Sequence, residues 1–468
     1  MKKLLVTLAV LCTVGILPAE FSAGFARLDV TPPLGIPLVG YFHHRVADGV
    51  LDPLVIECVA VSDGTNDALI YCVDDLHLTN PFFAKAFPAI TAATGVPRDR
   101  IYVHSTHTHT GPADWPRSGF SEEENRLTQL YADLRIAKLA DAGRMALSNR
   151  APATIAVAKT ECRNISFIRR FRMKDGSVRT NPGLMSTEVK EPLGTPDETL
   201  QLIRFKRTGA PDIAIVNFGT HPDTTGGNKY SADWPGVVRS TFENGIGGGV
   251  KCLFLNAAQG DVNHHYRFPP PGRAALNKQR AQNSRAIAIH MGHAVAGAAL
   301  AMWDVCEDIP NGPVRGAVTA VPMPTNLPTA DEIKWVELFD AGRKNEIPLG
   351  NMEIKTLTSP RSRVRRLKNG PDHFDILVSS VAIGDTLAFA GLPCEPFVDI
   401  GRDIKAQSPF RMTVVTCLTN GSEGYIPSTK AHAEGGYEGL SSRFAAPTGD
   451  RLVAAQVEQL KELCGNRK

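Results

Sequence analysis

Apolar and polar positions alternate along the chain in two rhythms, one short and one long. "LDVTPPLG" (Leu28–Gly35) reads as a short strand ended by two prolines. The apolar runs Leu54–Val61 and Ala68–Val73 flank the turn residues Asp63-Gly64, which predicts a hairpin. Phe82–Gly95 reads as a helix closed by glycine and interrupted by Pro88. Arg100–Val103 is a short strand. Ser121 with Glu124 three residues on forms a capping box before a long amphipathic helix. The stretch 163–198 is polar, contains the turn "KDGS", and reads as a long hairpin or lid. Asp212–His221 and Lys251–Asp261 are each an apolar strand run that ends in small and polar residues. Arg285–Trp303 is a nearly all-apolar helix and should be buried. Glu332–Lys344 is another helix, Phe374–Pro396 two strands around Gly384-Asp385, Phe410–Gly421 a last strand, and Asp450–Leu463 a final helix. Strands alternate with helices and hairpins are mixed in. The expected fold is α/β (mixed α+β): a layered mixed sheet with flanking helices in a single large catalytic domain.

Composition narrows this little. The 468 residues are 43% hydrophobic and 21% charged, ordinary for a globular chain. The net charge of +3, from 51 basic and 48 acidic residues, gives no footprint for nucleic acid. The densest basic run, Pro360–Gly370, reads as a solvated loop. The amino terminus says more. Lys2 and Lys3 precede the apolar run Leu4–Leu17 and then small residues, which reads as a signal peptide over 1–23, cleaved after Ala19 or Ala23. No later stretch reads as a membrane span, so the expected product is a secreted or periplasmic protein over 24–468. Eight cysteines follow Cys12. There is no C-x-x-C, so a cysteine zinc site is not expected, and buried free thiols are the simpler reading.

The candidate chemistry gathers where apolar strands end. "VHSTHTHTGP" (Val103–Pro112) packs three of the chain's 13 histidines into six residues. His107 and His109 follow one strand, His221 another, "QGDVNHH" a third, Glu395 a fourth, and Tyr425 lies past a fifth. Loops at the carboxyl ends of strands are where layered α/β proteins build sites. In an extended segment His107 and His109 would point the same way, so both rings could face one ligand. Zinc takes imidazole nitrogens and carboxylate oxygens and, in catalytic sites, leaves a position for water. Spacing alone leaves a hydrogen-bonded loop cluster equally open.

"THTHTGP" (Thr106–Pro112) resembles the "THTHSGP" signature of neutral (alkaline) ceramidases, zinc-dependent amidases that cut the fatty-acyl amide of ceramide. Other segments resemble that family in the same order: "LDVTPPLGIPLVGY", "FGTH", "GDVNHH", "GLPCEPF", and "GYIPSTKAHAEGGYEG", in which Tyr425 and Tyr437 stand twelve apart as the family's two tyrosines do. The resemblance runs from about Gly24 to Ser442. It implies one Zn²⁺ per chain held by His107, His221, Glu395 and Tyr425. It implies substrate contact by His109 and Tyr437, by an arginine of "SFIRRF" (Arg169 in preference to Arg170), and by Gly40 and the turn position Asn263. Asp233 is a candidate to orient a ligand histidine, and His104 reads as local packing. The implied reaction is attack of zinc-activated water on the N-acyl amide of a ceramide-like lipid. His109 would act as general acid, with Tyr437 or Arg169 at the oxyanion. Partners implied are a small-molecule or lipid amide and peripheral membrane contact, with no nucleic acid and no obligate protein partner. Two departures matter. Asn263 stands where the family's turn has a serine, and an amide cannot serve as nucleophile. The chain as given also ends before the family's carboxyl-terminal β-sandwich. These leave open an esterase or deacylase acting on a non-lipid substrate such as a glycan, or a non-catalytic zinc-stabilised binding protein.

Overall fold

The computed structural model describes residues 20–264, 266, 284–348 and 358–465. The expected leader lies outside the described residues as far as position 19, whereas Ser22 and Ala23 already open the strand Ser22–Asp29. That strand pairs with Val55–Ser62 along its whole length, and Val55–Ser62 forms the expected hairpin with Asp67–Val73.

A nine-stranded mixed sheet runs in the order Lys251–Asn256, Ile213–Phe218, Thr199–Arg207, Ala151–Glu161, Ser22–Asp29, Val55–Ser62, Asp67–Val73, Ile101–Ser105, with Glu307–Ile309 beside Ala151–Glu161. Its two flanks join through only two residue pairs, Ser22↔Pro152 and Ala23↔Ala151. A second sheet holds Val314–Pro324, His373–Ile383, Leu387–Gly391 and Met412–Thr416. The expected layered mixed sheet with flanking helices is present, and its layers are two sheets face to face. Val59, Ile70, Ile203, Ile215 and Leu253 of the first meet Val381, Ile383, Phe389 and Val414 of the second in one buried cluster. Helices Asn80–Thr94 and Glu122–Ser148 cover the outer face of one flank of the large sheet, and Asp233–Ile246 and Ser284–Met302 that of the other. Val398–Gln407 and Thr448–Cys464 cover the second sheet. The result is one domain of four layers, helix–sheet–sheet–helix.

Both faces of the central strands are covered, which is why they read as continuous apolar runs and not as alternations. In Ile213–Phe218, Ile213 and Ile215 face the other sheet while Ala214, Val216 and Phe218 meet helices. Each such side chain contributes roughly 1.5–3 kcal/mol on burial. That packing fixes the strands, and with them the loops at their carboxyl ends.

The capping box at Ser121 and Glu124 and the left-handed glycine cap at Gly95 are present as expected. Two expectations change. Among the described residues Arg285–Val305 is long and apolar enough to cross a membrane by length and composition. Its apolar side chains Ile287, Met291, Val295 and Ala299 instead pack with Trp234, Val238 and Phe242 of Asp233–Ile246 over the sheet. The basic run is not a solvated loop. Thr358–Leu367 is a helix, and buried Arg363 donates to Asn326 O and Glu332 at 2.8 Å each. Its charges serve to dock it on the helix Ala330–Asp340. The polar stretch 163–198 folds as a small sheet of Val178–Thr180, Arg170–Met173 and Val189–Pro192. All eight cysteines of the described residues are free thiols.

Candidate metal centre

Within the two large sheets of the described residues three pairs of neighbouring strands run parallel: Asp67–Val73 with Ile101–Ser105, Ile213–Phe218 with Lys251–Asn256, and Leu387–Gly391 with Met412–Thr416. Parallel neighbours end side by side, so the loops that leave them converge. His107 and His109, His221, Glu395 and Tyr425 all lie on these loops.

The convergence does not come from an extended chain. The strand stops at Ser105, and His107 takes a left-handed φ of 73°. Its N–H donates to Asp75 O at 2.9 Å, and His109 N donates to Pro222 O at 3.1 Å. These bonds tie the histidine turn to the neighbouring loops and bring both rings round to one point. His104, inside the strand, bridges Cys417 O and Asn256 N at 2.8 and 2.9 Å and plays the packing part expected of it.

Hydrogen bonding decides which nitrogen faces the centre. His107 Nδ1 donates to Leu76 O at 2.9 Å, and His221 Nδ1 to Gln259 O at 3.0 Å. Carbonyls only accept, so Nδ1 carries the proton in each neutral ring and Nε2 presents a lone pair. Those Nε2 atoms stand 3.3 Å apart. The buried Glu395 Oε2 lies 3.2 Å from one and 3.3 Å from the other and has no hydrogen-bond donor among the described residues. His109 Nε2 is 3.3 Å from His107 Nε2. Three electron-pair donors meet in a buried place, and the Arg169 guanidinium, at 3.1 Å from His221 Nε2, can donate a proton there. Around zinc at about 2.0–2.1 Å, tetrahedral ligand atoms stand about 3.3–3.4 Å apart. The observed spacings match that edge, so His107, His221 and Glu395 fit a zinc ion. The group of His107, His109 and His221, with ligand atoms within 4.8 Å of one another, could also hold a metal as three histidines.

Electrostatics agree with this chemistry. Burial, aided by the nearby Arg169 charge, pushes His221 down to about 3. Burial and His107 put His109 well below its ordinary value. Burial opposes ionisation of Glu395, but His107 and His221 outweigh it and hold the carboxyl well below the carboxylate range. Neutral imidazoles and an ionised carboxylate are the forms a divalent cation takes.

Tyr425 pairs with Glu395 across a short parallel bridge, which puts its ring 6.5 Å from that of His221. The Arg169 guanidinium lies over Tyr425 at 5.2 Å, while its Nε donates to buried Glu438 at 2.8 Å. Arg170 instead donates to Ala431 O and Gly435 O at 3.1 and 2.8 Å. Tyr437 stands edge-on to Tyr425 with centroids 5.6 Å apart. Gly40 has φ of +106°, and a Cβ there would lie 2.9 Å from His109 Nδ1, so only glycine lets this backbone pass the ring. Asn263 follows Val262, whose carbonyl is a second acceptor for His221 Nδ1, and its own amide donates to Asn181 at 2.7 Å.

Asp233 does not orient a histidine. Its carboxylate accepts from Thr224 N at 3.0 Å and Thr225 N at 2.8 Å, so it shapes the backbone just after His221. Carbonyls of Leu76, Gln259 and Val262 do the orienting. Asp223 was not legible in the sequence: its Oδ1 accepts from Tyr41 Oη at 2.6 Å and lies 3.8 Å from His109 Nδ1. Arg45 was also missed; it is stacked on Tyr41 and donates to His109 O at 2.8 Å. Carbonyl acceptors carry no sequence signal, and a lone Asp two residues past a histidine carries little.

Fold and site together define a two-sheet α/β protein with a candidate metal centre at the carboxyl ends of its parallel strands. This chain has a neutral-ceramidase-like fold. It matches the crystal structure of neutral ceramidase from Pseudomonas aeruginosa with a TM-score of 0.70 and 16% identity, over 95% of this chain and 75% of that one. It matches a structure described as a ceramidase complexed with C2 with a TM-score of 0.66 and 16% identity, over the same shares. No protein-family model and no curated sequence matches the chain.

Proposed function

We propose that the protein is an exported zinc-dependent hydrolase that cleaves the amide of a ceramide-like N-acyl lipid. The observation that carries the proposal is the meeting of His107 Nε2, His221 Nε2 and Glu395 Oε2 at 3.2–3.3 Å in a neutral-ceramidase-like fold. His107, His221, Glu395 and Tyr425 hold the ion. When bound, zinc supplies a Lewis acid and lowers the pKa of water towards about 7.

The remaining residues work on the substrate. Arg169 keeps its charge, because Tyr425 and Glu438 outweigh the burial that opposes it. Its guanidinium beside the centre is suited to the charge that grows on an acyl oxygen. Tyr437, on Tyr425, supplies a hydroxyl donor for the same oxygen. His109, whose Nε2 reaches the centre and which burial holds neutral, takes the proton that the attacking water loses and passes it to the leaving amine, a role worth roughly 10² to 10⁴ in rate. The Gly40 backbone and Asn263 border the substrate. Asn263 is not a nucleophile.

A leader cleaved after Ala19 keeps the strand Ser22–Asp29 whole, whereas cleavage after Ala23 removes its first two residues. Export with cleavage at Ala19 belongs to the proposal. One observation favours a second reading. The Asp223 side chain is about one-third exposed beside His109, and a carboxylate there suits a polar or cationic head, as in a glycan amide or ester. Hydrolysis of a fluorogenic N-acylsphingosine, measured beside N-acyl and O-acyl sugars, tests both. Turnover of the sphingolipid that disappears in His107→Ala supports the first reading. Turnover of the sugars alone supports the second, and no turnover of either overturns both.

A further inference from the structure

The segment Gly40–Arg45 crosses the mouth of the centre and is held at both ends. At one end Gly40 passes against His109. At the other, Arg45 donates to the carbonyls of Gly227, Val39 and His109 at 2.7, 3.0 and 2.8 Å. Tyr41 faces inward, to Asp223 and to the His109 ring with centroids 5.7 Å apart. Phe42 reaches the other way and meets Tyr437 edge-on at 6.0 Å. The rings of Tyr425, Tyr437 and Phe42 thus form a continuous ladder, with steps of 5.6 and 6.0 Å, from the metal centre to solvent.

At the outer end of that ladder Phe42 is 57% exposed. A scattered exposed phenylalanine needs no explanation. This one differs, because a fixed backbone holds it in line with the centre and against a ring that itself touches Tyr425. We infer that Phe42 and Tyr437 form an apolar subsite that receives the hydrocarbon arm of the substrate and sets a preference for long arms. The inference rests on the proposed amide hydrolase and adds a named residue that selects arm length.

The test uses amides of a fluorogenic amine with acyl chains of two to twelve carbons, below their aggregation limits. It reads the ratio of kcat/KM for the longest chain to that for the shortest. Covering the open half of one phenylalanine corresponds to roughly a five-fold preference. Phe42→Ala is expected to lower the ratio about five-fold and Phe42→Leu to restore most of it. Leu130→Ala, at an exposed residue of the helix Glu122–Ser148, serves as control. An unchanged ratio in Phe42→Ala overturns the subsite. If the wild type hydrolyses none of the series, the hydrolase reading fails, and the subsite is judged by anisotropy of a dansyl-labelled dodecyl amide. Binding weakened about five-fold in Phe42→Ala then supports it, and equal binding overturns it. Loss of sedimentation with phosphatidylcholine vesicles, at an unchanged ratio, would make Phe42 a bilayer contact and also overturn the subsite.

Discussion

Gly40→Ala probes how tightly the site is built. The added methyl carbon would stand 2.9 Å from His109 Nδ1, 3.0 Å from its Cγ and 3.2 Å from its Cα. Carbon contacts settle at about 3.5–4.0 Å, so the ring or the strap must give by about 0.6–1 Å. The φ of +106° is also one that alanine resists, at a cost of about 1–3 kcal/mol. The variant should therefore fold with about 2 kcal/mol less stability, read by urea denaturation. Displacement of a reacting group by about 1 Å costs on the order of 100-fold in rate. kcat/KM on the N-acyl substrate should fall by that order while bound zinc stays at one per chain. The zinc readout separates the two ways of counting His109. Retained metal with lost activity places it on the substrate side. Metal lost together with activity would make it a third histidine ligand and refute the assignment made here, and wild-type kcat/KM would refute the close-fit argument altogether.

Asp223→Asn keeps the Tyr41 contact possible but removes the charge facing His109. It should lower kcat about ten-fold and leave KM within two-fold, measured by steady-state kinetics. His104→Ala strips partners from Cys417 O and Asn256 N inside the sheet ends. It should cost about 3 kcal/mol in urea denaturation, with zinc content unchanged. Burial pushes the Asp261 carboxyl up to about 7. Its folded-state value is raised above the unfolded one, so its contribution is complete below about pH 4 and is lost as pH rises through about 7. At 1.36 kcal/mol per unit, wild-type stability relative to Asp261→Asn should fall by up to about 4 kcal/mol across that window, and parallel profiles would contradict the burial argument.

The loops that form the candidate site are legible in the sequence. Strand runs ending in polar residues pointed to the right loops, because both faces of those strands are buried and their sequences are unbroken apolar blocks. The division into two sheets was not readable, since an apolar block does not say which sheet its second face meets. His107 and His109 meet for a different reason from the one their spacing suggests: a left-handed residue turns the chain where alternation was expected. Tyr425 is beyond composition, because its place depends on pairing with Glu395, thirty positions earlier. Asp233 looked like a histidine partner and instead holds Thr224 and Thr225. The basic run reads as a loop in the sequence because the partners of its charges, Glu332 among them, lie on a separate helix about thirty positions earlier, which sequence alone does not reveal.

The central claim is that His107, His221 and Glu395 come together around a cation. Elemental analysis of the wild-type protein after exhaustive dialysis, beside His107→Ala prepared in the same way, tests it most directly. One zinc per wild-type chain and a small fraction of that in the variant is the predicted result. A folded wild-type protein that is free of zinc and takes up none on titration would contradict the account.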